Sequence, residues 1–286
     1  MKKEKRSVKA LALALVLTLL LSMTVQAETV DTEKAAKSNP KVWRALCIGE
    51  SNYGSSRLNL PACRNDAYAM GRVLRKTGYK FAKVRINRTK SQIQKLIKST
   101  FKYADSNDVS FFYYSGHGAS NGSLVTVRRE YISPATLAGW LKKIPGTVIV
   151  MADCCYSGAL INKSADGKIT VQNPKEFNTN FVNAFAANDL QAKAGEFCKS
   201  KFKVLTACKQ YEISYCTSRY SLFTEKLISG AGYSYDTGRR FSYAPADYNR
   251  NRKITLSECR RYTFLNIYRQ NAQCYPTYSE FKIFQR

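Results

Sequence analysis

Histidine is almost missing from this chain: among 286 residues there is one, His117. That excludes a metal centre built on several imidazoles and leaves a single candidate for histidine acid–base chemistry. Carboxylates are scarce as well, 20 Asp and Glu against 46 Lys and Arg, for a formal charge of +26. Such a balance favours anionic partners, among them cell-wall polymers, membrane surfaces, nucleic acid and acidic proteins. The same charge also confers solubility, so composition alone does not choose between these readings, and no specific nucleic-acid site is expected. No Cys-x-x-Cys pair occurs, which excludes zinc sites of the usual spacing. No internal repeat is visible. Neither Cys154 nor Cys155 is followed six residues later by Arg, which excludes a cysteine-loop phosphatase.

Long apolar runs are also absent after the first one. The chain opens on Lys2, Lys3, Lys5, Arg6 and Lys9, continues through an apolar stretch from Ala10 to Val25, and reaches Val25-Gln26-Ala27. A basic start, an apolar middle and small residues at the end describe a secretory signal peptide over 1–27; an uncleaved anchor is the competing reading. The expected product is therefore secreted, extracellular or associated with the cell envelope, with no transmembrane helix after cleavage. All nine cysteines lie beyond the leader. Export permits disulfides, and the odd count implies at least one unpaired or intermolecular thiol, but the pairing is not legible.

Residues 28–40 are polar and read as a mobile lead-in to one domain over 41–286. Val42–Ile48, Phe81–Ile86, Val109–Ser115, Thr147–Asp153 and Phe202–Ala207 read as strands. Helical spacing of apolar residues predicts helices over 64–76, 91–103, 134–143, 181–192, 221–228 and 257–269. VSFFYYS and TVIVMAD are nearly continuous apolar runs, the pattern of strands covered on both faces. Alternation of strands and helices predicts an α/β fold: a mostly parallel sheet of about six strands with helices on both faces, three layers in all. Sites of such sheets lie beyond the carboxyl ends of the strands.

Two motifs fall there. Ser115-Gly116-His117-Gly118 follows the strand VSFFYYS, and Asp153-Cys154-Cys155-Tyr156-Ser157-Gly158 follows TVIVMAD. The flanking glycines are expected to let the backbone turn and to place the imidazole in the open. If the two strands are neighbours, His117 meets a cysteine across one edge of the sheet. A free thiol, with a pKa of about 8.5, is a weak nucleophile at neutral pH; a nearby imidazole can favour thiolate and later protonate a leaving amine. The N–H groups of Gly118 and Cys155 are the candidate oxyanion donors. An inert cysteine pair beside a structural histidine is the competing reading.

YYSGHG followed by DCCYSG resembles the His and Cys blocks of caspase-like cysteine peptidases, metacaspases above all, in the clan that also holds clostripain-like and gingipain-like enzymes. The stretches 45–79, 202–214 and 221–230 resemble further blocks of that family in the family's order. The resemblance implies a three-layer caspase-like fold and a cysteine endopeptidase with Cys155 as nucleophile and His117 as its partner, Cys154 taking the place of the family's usual Ser. It also implies a primary specificity pocket that accepts Arg or Lys, carried onto Asp66, Ser115 and Asp153, with Cys63 beside them, and substrates that are proteins or peptides with basic residues at the cleavage site. Arg44 and Arg64 keep alive a minority reading, a basic pocket for Asp. No cofactor is required by such chemistry.

Two segments depart from the family pattern. The region after the His block, ASNGSLVTVRRE, has only Glu130 as an acid, so calcium activation through it is not expected. A different calcium candidate lies at 247–258, where Asp247, Asn249, Asn251 and Glu258 occupy oxygen positions of an EF-hand-like loop, although Arg252 stands where glycine belongs and basic residues crowd the segment. Residues 159–200 are rich in lysine and read either as a self-cleavage loop or as ordinary surface. The alternative to an enzyme is a catalytically silent caspase-like domain that binds anionic cell-surface polymers.

Overall fold

The computed structural model describes residues 40–119, 122–156, 184–185, 200–207, 216–268 and 272–286. The expected leader, nearly all of the lead-in, all of the helix over 181–192 except the helical residues 184–185, Cys198, Cys208 and most of the candidate self-cleavage loop lie outside them. No helix among the described residues is long and apolar enough to cross a membrane.

Ten strands and five helices are described: β1 (Trp43–Gly49), α1 (Pro61–Lys76), β2 (Phe81–Ile86), α2 (Lys90–Thr100), β3 (Val109–Gly118), β4 (Leu124–Val125), β5 (Tyr131–Ile132), α3 (Pro134–Lys142), β6 (Thr147–Tyr156), β7 (Phe202–Thr206), α4 (Leu222–Gly230), β8 (Lys253–Thr255), α5 (Leu256–Asn266), β9 (Gln273–Tyr275) and β10 (Lys282–Gln285). The main sheet runs β2-β1-β3-β6-β7-β9, with β4 on β3 and β5 on β4; β8 and β10 form a separate pair. β2, β1, β3, β6 and β7 are mutually parallel, and β9 closes the edge antiparallel to β7.

Alternation along each strand divides the core in two. Ala45, Cys47, Phe111, Tyr113, Ile149 and Met151 pack with residues of α1, α4 and α5. Leu46, Ile48, Phe112, Tyr114, Val148 and Val150 pack with residues of α2 and α3 on the other face. This is the three-layer, mainly parallel α/β architecture expected from the apolar runs. Helix starts follow capping chemistry. Thr89 and Gln92 form a reciprocal capping box at α2, and the Ser133 side chain accepts from Thr136 N ahead of Pro134 at α3. α1 begins at Pro61, earlier than its apolar spacing indicates, because proline suits the first helical turn.

The strands themselves run further than expected. β3 and β6 stay paired through Gly118 and Tyr156, so the His and Cys blocks lie inside the sheet's carboxyl edge and do not hang beyond it. The short strands β4, β5, β8, β9 and β10 and the start of α5 at Leu256 also differ from the sequence expectation.

Candidate active site

The pairing of β3 with β6 sets Ser115 opposite Asp153, Gly116 opposite Cys154, and His117 opposite Cys155. Partners in adjacent strands lie about 4.8 Å apart and share a face of the sheet. Phe111, Tyr113, Ile149 and Met151 belong to the core on the α1 and α4 side, so the odd-numbered positions that follow, Ser115, His117 and Asp153, continue that face. Cys154 packs in the opposite core with Leu124 and Ala152. Of the two adjacent cysteines, Cys155 is the one whose Cα is paired with that of His117.

The imidazole is not in the open, as the flanking glycines suggested. His117 is 3% exposed. Gly116 has a different task from making a turn: a Cβ there would stand 2.5 Å from the Tyr114 hydroxyl and 2.9 Å from the Glu50 Cβ. Glycine lets the Tyr114 ring fold back across the strand, where its hydroxyl reaches the His117 carbonyl at 2.9 Å and the Val125 carbonyl at 2.7 Å. His117 N in turn donates to the Tyr53 hydroxyl at 2.9 Å, and the two rings lie 4.4 Å apart. His117 Nε2 lies 2.7 Å from the Leu58 carbonyl. A carbonyl only accepts, so Nε2 carries a proton, and the other ring nitrogen is Nδ1 of that tautomer. Burial lowers the His117 pKa, and the Leu58 carbonyl pulls it back up.

Asp66, Ser115 and Asp153 come together beside this pair. Asp66 is fully buried, with one oxygen accepting from Ser115 Oγ (3.0 Å) and Ser221 Oγ (2.6 Å) and the other from Ser221 N (3.1 Å) and the Tyr235 hydroxyl (2.7 Å). Burial pushes its pKa up to about 6 against the pull of these donors. Asp153, also buried, accepts at Oδ2 from Thr224 N (3.2 Å) and Thr224 Oγ1 (2.5 Å). Because that hydroxyl proton goes to Asp153, the Tyr113 hydroxyl, 2.6 Å from Thr224 Oγ1, is the donor of its own bond. Asp153 Oδ1 is buried and has no partner. Burial and the neighbouring Asp66 hold Asp153 well above the usual carboxylate range. Cys63, one helical turn before Asp66, is buried beneath the same cluster, its thiol pushed up by burial.

A buried carboxylate oxygen with no donor is costly, by about 1–3 kcal/mol or more. An arriving cation supplies both the missing donor and the opposite charge. Arg44 is tied to Asp108, and Arg64 stacks on Tyr68, so neither is part of the Asp66–Asp153 cluster. The sequence reading missed Tyr53, the Leu58 carbonyl, Ser221, Thr224 and Tyr235, most of which lie far along the chain from their partners.

The calcium candidate closes on itself. Asp247 accepts from Asn251 N and Arg252 N, Asn249 from Asn251 N, and Asn251 from Lys253 N. Glu258 accepts from Tyr248 N, Thr255 N and Thr255 Oγ1, as the capping box of α5. Every expected ligand oxygen thus serves a backbone donor, and the described residues hold no cluster of three or more His, Cys, Asp or Glu suited to a metal. The loop carries Arg252, at a φ of 63°, where glycine belongs, with Arg250 and Lys253 beside the candidate ligands.

Comparison with known proteins places this geometry. A family model described as the caspase domain of peptidase C14 matches residues 43–241. No curated protein matches. Among solved structures, protein GSU0716 from Geobacter sulfurreducens aligns with a TM-score of 0.53 at 17% identity, over 82% of this chain and 93% of that one. Caspase-1 from Spodoptera frugiperda aligns at 0.43 and 17% identity, over 65% and 67% of the two chains. A structure titled pro-sf-caspase-1 aligns at 0.48 and 13%, over 84% and 88%.

Proposed function

The chain belongs to the caspase-domain family of cysteine peptidases, and on that premise we propose that it is an exported endopeptidase that cleaves after Arg or Lys with Cys155 and His117. The observation that carries the reading is the register of β3 on β6, with His117 and Cys155 as Cα partners at the sheet's carboxyl edge.

In the proposed reaction His117 Nδ1 takes the Cys155 proton, while Nε2–H stays on the Leu58 carbonyl. The thiolate attacks the scissile carbonyl carbon, and its oxygen takes up the negative charge beside the N–H groups of Gly118 and Cys155. Each well-aimed donor of that kind lowers the barrier by about 3 kcal/mol. Collapse breaks the C–N bond as the imidazolium gives its proton to the leaving amine. Water, deprotonated by His117, then attacks the thioester, and Cys155 leaves as thiolate to be reprotonated. No cofactor takes part.

Selectivity for basic side chains rests on Asp66 and Asp153. A guanidinium or ammonium would donate to Asp153 Oδ1, which lacks a partner, and its charge would draw both carboxylates toward ionisation. The leader over 1–27 supports export, and the high positive charge supports retention on anionic envelope polymers.

The test is hydrolysis of matched Arg, Lys and Asp reporter peptides by the purified protein. Arg and Lys reporters should be cleaved, and Cys155→Ala or His117→Ala should lower kcat/KM by about 10³-fold or more. Preference for Asp overturns the pocket assignment and leaves the nucleophile standing. Turnover that survives Cys155→Ala overturns the mechanism. Export is checked separately: the N-terminal residue of the secreted protein should be Glu28.

A further inference from the structure

A concavity lies on the α2 and α3 side of the sheet, at its amino edge. The carboxyl ends of α2 and α3 lie side by side there, just before β3 and β6 begin. Ile97, Phe101, Ala104, Trp140 and Ile144 line a cavity of about 370 Å³ between them. Ile97, Phe101 and Ile144 are 2%, 3% and 6% exposed, so the wall is part of the core and continuous with it. At about 30 Å³ for each water-sized group, the space holds roughly a dozen non-hydrogen atoms. That lies within the size range of small-molecule sites.

The rim is of one sign. Lys98, Lys102 and Lys143 border the opening, Gln94 adds an amide, and no acidic residue lines it. All three lysines are exposed, and none is in an ion pair among the described residues. Lys102 Nζ stands over the Tyr103 ring at 5.1 Å, a contact that leaves its donors available. Lysines near helix ends often only complement the helix dipole. Here three of them, from two different segments, ring an apolar space large enough for a ligand. That combination suits a molecule with an apolar body and an anionic head.

We propose that this cavity binds a small amphipathic anion, an acyl or aromatic body carrying one carboxylate, with the body against Ile97, Phe101, Trp140 and Ile144 and the head among Lys98, Lys102 and Lys143. The site is separate from the peptidase edge: it sits before the first residues of β3 and β6, whereas His117 and Cys155 lie near their last. The proposal does not depend on the catalytic reading.

Trp140 provides the reporter, since the chain holds only two tryptophans and Trp43 packs elsewhere, against Tyr79 and Phe281. Octanoate and its neutral counterpart 1-octanol are titrated into the purified protein and into Trp43→Phe, read by calorimetry and by Trp140 emission. Octanoate should bind at one site and shift that emission, at least tenfold more tightly than 1-octanol. The surface variant Lys98→Gln, Lys102→Gln, Lys143→Gln should bring octanoate down to the affinity of 1-octanol without changing the latter. Ala104→Leu, which fills the cavity, should weaken both. Absence of heat and of an emission change with octanoate in the wild-type protein overturns the proposal. So does equal affinity for the two compounds, or octanoate binding unchanged in the triple lysine variant.

Discussion

At the scale of single residues, the two buried carboxylates, Asp66 and Asp153, are not equivalent. Asp66 has four donors and a settled place, while Asp153 has one oxygen engaged by Thr224 and one without a partner. Removing the open acceptor should therefore hurt basic substrates most. A hydrogen bond to a charged group contributes about 1.5–3 kcal/mol, so Asp153→Asn should lower kcat/KM for an Arg reporter by roughly 10- to 150-fold, with little change in iodoacetamide labelling of Cys155. Titration gives a second outcome. Asp66 is held up at about 6, so the folded chain keeps a proton that the unfolded chain has already lost. The stability it contributes is present below the ordinary carboxylate range and is lost as pH rises through about 6. A guanidinium probe such as agmatine needs the ionised form, so its affinity should climb over the same rise, and Asp66→Asn should flatten that climb. An agmatine affinity independent of pH from about 5 to 7 would contradict the pocket. These roles were only half legible from the chain. Asp66, Ser115 and Asp153 stand in recognisable blocks. Their donors Ser221, Thr224 and Tyr235 stand 155, 71 and 169 positions away from the carboxylates they serve, where no local pattern points back.

At the scale of elements, close approach governs what the site tolerates. Gly49 ends β1 against α1, and a Cβ there would lie 2.5 Å from the Cys63 carbonyl and 2.9 Å from the Ala67 Cβ. Backbone cannot swing aside as a side chain can. Gly49→Ala should destabilise the fold by about 1–3 kcal/mol, seen as a Tm lower by several degrees. Gly116→Ala should be worse for activity than for stability, because the Tyr114 ring it displaces braces the His117 carbonyl. Long strands were readable because apolar runs such as VSFFYYS and TVIVMAD carry their burial in their composition, although the strands extend past them to Gly118 and Tyr156. β4 and β5, two residues each, offer no periodicity to detect, and β8, β9 and β10 owe their pairing to neighbours distant in sequence. The end of β3 was misjudged for a related reason. Gly116, which read as part of a turn, is there to admit the Tyr114 ring.

At the scale of the whole molecule, charge and metal response can be measured directly. A chain of net charge +26 should bind a polyanion column and elute with salt, since exposed charges are screened within about 10 Å at 0.1 M. Calcium should leave Tm unchanged. A site with a dissociation constant a hundredfold below the calcium concentration would add about 2.7 kcal/mol, and a shift of several degrees would overturn this expectation, which rests on the basic residues Arg250, Arg252 and Lys253 among the candidate ligands. The sequence by itself determined the fold class and nominated His117 and, through its resemblance to the family's Cys block, Cys155, because burial on both faces and glycine-flanked polar blocks are written locally. Which cysteine is paired with His117 in the strand register, which nitrogen keeps its proton on Leu58, and which carboxylate oxygen is left open were decided by tertiary structure alone. Each depends on strand register or on a donor brought from far along the chain, and neither exists until the sheet is assembled.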